Sequence, residues 1–119
     1  MTSFIAYWEF DSYIYIEHLA VNPELRGNNI GSDTLNKLAS LVDKVIILEI
    51  DPVKDDVSKK RLAFYEKLGY RVNPYQHFHP AYNKLYPPHE LTVLSLNRNL
   101  ETEEYHKFFK NLSEIVMKI

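Results

Sequence analysis

Two short, largely apolar stretches open the chain. Residues 4–10 (FIAYWEF) and 13–21 (YIYIEHLAV) are rich in β-branched and aromatic side chains, and Asp11-Ser12 between them is turn chemistry. The pattern predicts an antiparallel hairpin. In its second strand the two-residue period puts Tyr13, Tyr15, Glu17, Leu19 and Val21 on one face. Ile14, Ile16, His18 and Ala20 fall on the other. On that apolar side His18 is expected to be a hydrogen-bonded core histidine. Asn22-Pro23 closes the strand, because proline cannot donate to a ladder.

The period then lengthens. Over residues 30–42, Gly31, Leu35, Leu38 and Val42 form one helical stripe, with Asp33, Asn36, Lys37 and Ser40 outside it. Residues 44–50 (KVIILEI) are a short apolar run, expected to be a strand covered on both faces. Residues 57–68 read as a helix with Gly69 as its C-terminal cap. Residues 70–72 and 91–96 (LTVLSL) read as strands. The segment between them, 73–90, holds four of the six prolines and is expected to be a long surface loop. Over residues 102–119, Tyr105, Phe108, Phe109, Leu112, Ile115 and Val116 recur at helical spacing, which gives an amphipathic last helix. The order is β-β-α-β-α-β-β-α. The strand–helix–strand unit within residues 13–50 predicts a right-handed crossover between parallel strands, so the fold class is α/β with a mixed sheet.

With 119 residues the chain fits one domain, residues 1–119, with a core over 4–96. Charge is nearly balanced, 14 Lys and Arg against 16 Asp and Glu, which argues against general nucleic-acid binding. No apolar run approaches the ~20 residues of a membrane span, and no signal-peptide layout is seen, so no membrane partner and a cytoplasmic location are expected. Cysteine is absent, which removes disulfides, thiolate metal sites and a cysteine nucleophile.

The segment most suggestive of chemistry is 21–35, VNPELRGNNIGSDTL. A strand ends, and the glycine-bearing turn Arg26-Gly27-Asn28-Asn29-Ile30-Gly31 opens straight into a helix. Such a turn aims backbone N–H groups and the positive helix end at one spot, where a phosphate or pyrophosphate fits. Gly27 and Gly31 permit close approach, Asn28 and Asn29 tolerate left-handed backbone angles, and Arg26 adds a charge-assisted hydrogen bond. A plain strand-to-helix turn with a surface arginine fits the same spacing.

Leu19-Ala20-Val21-Asn22-Pro23 before that turn, the turn itself, and Phe64-Tyr65-Glu66-Lys67-Leu68-Gly69-Tyr70 further on together resemble the GCN5-related N-acetyltransferase (GNAT) family. The resemblance covers about residues 4–96 and implies a GNAT fold, here truncated at its N-terminus. It also implies acetyl-CoA as co-substrate and direct acetyl transfer to a primary amine, borne by a small molecule or a peptide. A non-catalytic module of the same fold, binding CoA or a protein, is the alternative. The resemblance assigns the pyrophosphate turn to Arg26, Gly27, Asn28, Asn29, Ile30, Gly31 and Ser32. It places pantetheine along Leu19, Ala20 and Val21, in a gap between two splayed parallel strands, and adds cofactor contacts at Ser58, Arg61 and Phe64. Three residues depart from the family pattern: Asn29 stands where glycine is usual, Ser58 where asparagine is, and Arg61 where alanine is.

For catalysis the resemblance implies Tyr65 as the acid that protonates the departing thiolate. Glu17, with Tyr15 as the other candidate, would be the base. No metal is expected. His77 and His79 have alternating spacing that could join His18 or His89 around a metal, but a histidine pair in a proline-rich loop reads more readily as surface. Asp51, Asp55 and Asp56 around Lys54 suit a cationic acceptor or simply a solvated loop. Tyr75, Phe78, Tyr82 and Tyr86 suit an acceptor wall or a packed lid. The open first strand and the amphipathic last helix are consistent with a homodimer.

Overall fold

The computed structural model describes residues 3–21, 29–80 and 88–118. The hairpin forms as β1 (Ser3–Glu9) and β2 (Tyr13–Val21), closed by Phe10 N–H donating to the Tyr13 carbonyl at 2.9 Å. Helix α1 (Ile30–Leu41) leads to β3 (Val45–Ile50), and α2 (Asp56–Lys67) leads to β4 (Tyr70–Val72). Then follow β5 (His77–His79), β6 (His89–Leu96), α3 (Thr102–Glu114) and a final 3-10 turn, Val116–Lys118. Strand β5 corrects the sequence expectation of a surface loop over 73–90. His77, Phe78 and His79 pair with Leu91, Glu90 and His89 of β6, so the histidines belong to the sheet.

The strands lie in the order β1-β2-β3-β6-β4, with β5 also on β6. As expected of a crossover, β2 and β3 are parallel, while the other pairs are antiparallel. One face of the sheet, built on Ile14, Ile16, Ile46, Leu48, Ile50 and Leu94, is covered by α1 through Leu35 and Leu38 and by α2 through Leu62, Phe64 and Tyr65. The other, built on Tyr13, Tyr15, Ile47 and Val93, is covered by Tyr105, Phe108 and Leu112 of α3 and by Val116 beyond it. The amphipathic last helix thus finds its apolar surface. It stops at Glu114 and tightens into the 3-10 turn, short of the helix expected through residue 119.

Local chemistry sets the element ends. Asp55 caps α2 in a reciprocal box with Ser58, and Glu101 caps α3 in the same way with Glu104. Gly69 ends α2 at φ +98°, where a side chain would meet Asn97 Oδ1 at 2.8 Å.

Candidate active site

The site begins with an irregularity in β2. Opposite β1, Ala6 pairs with His18 and Tyr7 with Ile16, which leaves Glu17 without a partner residue across the ladder. This β-bulge shifts the alternation by one. Leu19 therefore packs with Ile5 on the Ile14 and Ile16 side, where the two-residue period had put it with Tyr13 and Tyr15. His18, expected in the core, is instead exposed, its ring 5.5 Å from Phe4. On its other edge β2 pairs with β3 from Tyr13–Val45 to Ile16–Leu48 and no further. Beyond that point the two parallel strands separate, as the sequence resemblance implied.

The opening forms a cleft of two lobes that share Ile16, Glu17, Glu49 and Leu91. One lobe, about 340 Å³, runs past Leu19 and Asp51 to Arg61 and Tyr65 of α2. The other, about 290 Å³, is walled by Tyr15, His79 and His89. The Tyr65 phenol is half-buried, and burial raises its pKa, with the nearby Arg61 guanidinium opposing the rise. It therefore holds its proton at neutral pH. Phe64 and Tyr70 pack edge-on against it, at 5.1 and 5.6 Å. Arg61 reaches Asp51 at 3.2 Å. Glu17 accepts the Trp8 indole N–H at 3.0 Å.

Between the lobes stands a residue that sequence reasoning passed over. Glu49, inside the apolar run of β3, has a side chain only 4% exposed. Its carboxylate accepts from the Tyr15 hydroxyl at 2.5 Å and His77 Nε2 at 2.5 Å, and from His79 Nδ1 at 3.0 Å to each oxygen. Burial pushes its pKa up, but the hydrogen bonds from His77, His79 and Tyr15, with the charge of His79, outweigh that and hold it at about 2. Behind it His77 Nδ1 meets the Tyr105 hydroxyl at 2.8 Å, which ties the cluster to α3. The surface placement expected for this histidine pair is thereby corrected: His77 is 1% exposed and His79 half-buried. The available signal was the His-x-His spacing, which puts both rings on one face of a strand. Among the described residues no group of three or more such side chains is arranged to hold a metal ion.

Helix α1 starts directly after Asn29, which adopts the left-handed conformation anticipated for it, φ 62° and ψ 18°. Ile30, Gly31 and Ser32 form its first turn, half-buried. Arg26, Gly27 and Asn28 lie outside the described residues, as do Tyr82 and Tyr86. Ala20 continues β2 beside the opening and Val21 ends it. The Ser58 hydroxyl is committed to the α2 cap, accepting from the Lys54 and Asp55 N–H groups at 2.9 and 3.1 Å, and the residue is 5% exposed.

The structure thus places an opened parallel pair, the N-terminus of α1 and the half-buried Tyr65 of α2 around one sheet edge. The sequence profile of the acetyltransferase (GNAT) domain matches residues 2–72. The chain belongs to the GNAT family. A relative from Bacillus subtilis (strain 168), "Putative acetyltransferase YjbC", is 37% identical over 73 residues. Those residues are 53% of this chain and 38% of that protein, so the chain spans well under half of its relative's length. Among solved structures, a "Putative acetyltransferase from GNAT family" from Bacteroides thetaiotaomicron superposes with a TM-score of 0.89 at 28% identity. That match covers 99% of this chain and 67% of that one. A Bacillus subtilis acetyltransferase in complex with CoA shares the fold, with a TM-score of 0.55 at 16% identity over 82% of this chain and 70% of that one. Among the described residues no helix is long and apolar enough to cross a membrane.

Proposed function

We propose that this GNAT chain transfers the acetyl group of acetyl-CoA to a primary amine by direct attack of the amine on the thioester. The observation that carries the reading is the opening of the β2–β3 ladder beyond Ile16 and Leu48, with carboxylates at the cleft's centre and the Tyr65 phenol on its α2 side. The edge of β2 along Leu19 and Val21, past the end of its ladder to β3, suits an extended amide-bearing arm, which would add to the sheet like a short strand. A Bacillus subtilis acetyltransferase of the same fold is in complex with CoA, which supports an acyl-CoA as the ligand. Arg26 to Ser32 would receive the pyrophosphate at the start of α1. On α2, Arg61 lines the same lobe and Phe64 packs edge-on against Tyr65.

The acceptor arrives as an ammonium, since an alkylamine has a pKa near ~10.4. Glu17 and the ionised Glu49 give the cleft the negative charge that draws it in. Glu17 is also the proton acceptor that the family resemblance suggests. Tyr65 supplies a proton to the departing thiolate, a task suited to a phenol whose burial keeps it protonated.

A calorimetric titration of the chain with acetyl-CoA, with desulfo-CoA and ATP as controls, tests the binding half of the reading. Saturable binding specific to the CoA skeleton is expected. Tyr65→Phe should then slow acetylation by roughly 10²-fold while leaving acetyl-CoA affinity unchanged. Unchanged turnover would remove Tyr65 from the mechanism. Binding without turnover of any amine would favour a CoA-binding module.

A further inference from the structure

We propose that Arg61 is a positioning residue of the acetyl transfer, whose guanidinium offsets the negative charge that forms on Tyr65 when the phenol gives its proton to the departing sulfur. The proposal rests on the acetyl-transfer reading above and concerns its energetically hardest proton transfer. A thiol such as that of CoA has a pKa near ~8.5, and a phenol near ~10. The proton therefore passes from the weaker acid to the weaker base, against the gradient. Burial of Tyr65 widens the gap. The phenolate also forms among like charges, since Glu17, Glu49 and Asp51 line the same lobe. Such a step needs a fixed group of opposite sign close by.

Arg61 is placed to be that group. It precedes Tyr65 by one helical turn on α2, so the two side chains leave the same face of the helix. Both line the 340 Å³ lobe, and Arg61 is the one permanent cation among the described residues that do. Asp51, just past β3, holds Arg61 Nη1 at 3.2 Å and so fixes a long side chain beside the cleft. The titratable and charged groups around Tyr65 are Glu17 and His18 from β2, Glu49 and Asp51 from the β3 side, Arg61 from α2 and Tyr70 from β4. The Arg61 charge favours the ionised phenol, opposing the effect of burial. As a contribution to folding the pair counts for little, because both side chains are 48% exposed. Substitution at Arg61 therefore tests chemistry in a folded chain.

The step balances. The ammonium gives one proton to Glu17, and the neutral amine forms the N–C bond to the acetyl carbon. The C–S bond breaks with its electron pair on sulfur, which takes the Tyr65 proton. The phenolate stands beside Arg61 until the second proton, shed by the acylated nitrogen, restores it through solvent. Glu17 then releases its proton to water.

The test uses the full chain with acetyl-CoA and, as acceptors, a polyamine, a lysine-containing peptide and an aminoglycoside. Arg61→Ala should lower kcat by about tenfold, with acetyl-CoA Kd within about twofold of wild type, and Arg61→Lys should recover most of the loss. In a Tyr65→Phe chain the same Arg61→Ala exchange should change kcat by less than about twofold, because a residue that acts through the phenol has nothing left to act on. An equal loss with and without the phenol overturns the proposal. So does a near-wild-type rate in Arg61→Ala, or a fall in acetyl-CoA affinity that accounts for the lost rate. A second readout needs no turnover. With Tyr65 replaced by 3,5-difluorotyrosine, whose fluorines bring the phenol's titration closer to neutral pH, ¹⁹F spectra follow that one group. Arg61→Ala should make it titrate about one pH unit higher. An unchanged or lower midpoint overturns the proposal. If the chain acetylates none of these amines, or fails to bind acetyl-CoA, the acetyl-transfer reading is what fails, and the ¹⁹F titration judges Arg61 by itself.

Discussion

Toward α1 and α2 the sheet presents Ile14, Ile16, Ile46, Leu48 and Leu94, and among the described residues no charged side chain is buried with them. Toward α3 it presents Tyr13, Tyr15, Ile47 and Val93 and, beside them, the buried polar residues Glu49, His77, Ser95 and Asn73. The first face is held by area: each fully buried aliphatic side chain stabilises by about 1.5–3 kcal/mol, with no directional demand. The second is held by completeness. Asn73 gives its amide to Ser95 at 2.9 Å and takes the Leu100 N–H at 2.7 Å, while Glu49 takes Tyr15, His77 and His79. Each such bond is worth only about 1 kcal/mol net, yet losing one partner exposes the others to the full cost of burial. The apolar face should tolerate changes of shape. The polar face should fail on a change of one atom.

That contrast can be broken most forcefully at Glu49. Glu49→Gln replaces an acceptor by an amide that faces three donors, and urea unfolding should show a loss of about 3–5 kcal/mol. Leu94→Met, at an equally buried position on the other face, should cost under about 1.5 kcal/mol. Comparable losses in the two variants would erase the distinction.

Acid sharpens it next. Because the folded-state pKa of Glu49 is lowered from 4.5 to about 2, its contribution is present above pH 4.5 and lost as pH falls toward 2. At about 1.4 kcal/mol per unit, some 3 kcal/mol should disappear across that window, measured as wild type minus Glu49→Gln. Glu104, also held at about 2 by Arg98, is a surface pair and should add under about 1 kcal/mol.

The smallest effect has the opposite sign. Tyr70 is 3% exposed, and its hydroxyl has no hydrogen-bond partner among the described residues. Burial raises its pKa, and Tyr65 adds to the rise. Tyr70→Phe should stabilise by up to about 1 kcal/mol in thermal or chemical unfolding. A loss instead would mean that this phenol has a partner in solution.

The two faces also differed in how far they could be read from the chain. Leu35 and Leu38 at helical spacing and the run over 44–50 announce the apolar face, because periodicity is the trace that area burial leaves in sequence. The Phe64 to Tyr70 motif likewise located Tyr65 on the helix that walls the cleft. Glu49 left no such trace: KVIILEI reads as an apolar run covered on both faces, and nothing in it says that His77 and His79 meet its one carboxylate. Their alternation was visible, but the surrounding prolines argued for a loop, and pairing with β6 overrode them. The bulge at Glu17 was equally silent, since an extra residue in one strand is defined only against its partner. It inverted the expected sides of His18 and Leu19.

That bulge also bears on how the chain tolerates change. A bulge is specified by a count of residues, with little dependence on which side chains fill the positions. Exchanging Leu19 for valine or isoleucine leaves that count intact. Removing Glu17 takes the extra residue out of β2, so that Ile16 and His18 would face Tyr7 and Ala6 in unbroken succession. The bulge is therefore vulnerable to a three-nucleotide deletion far more than to a point substitution.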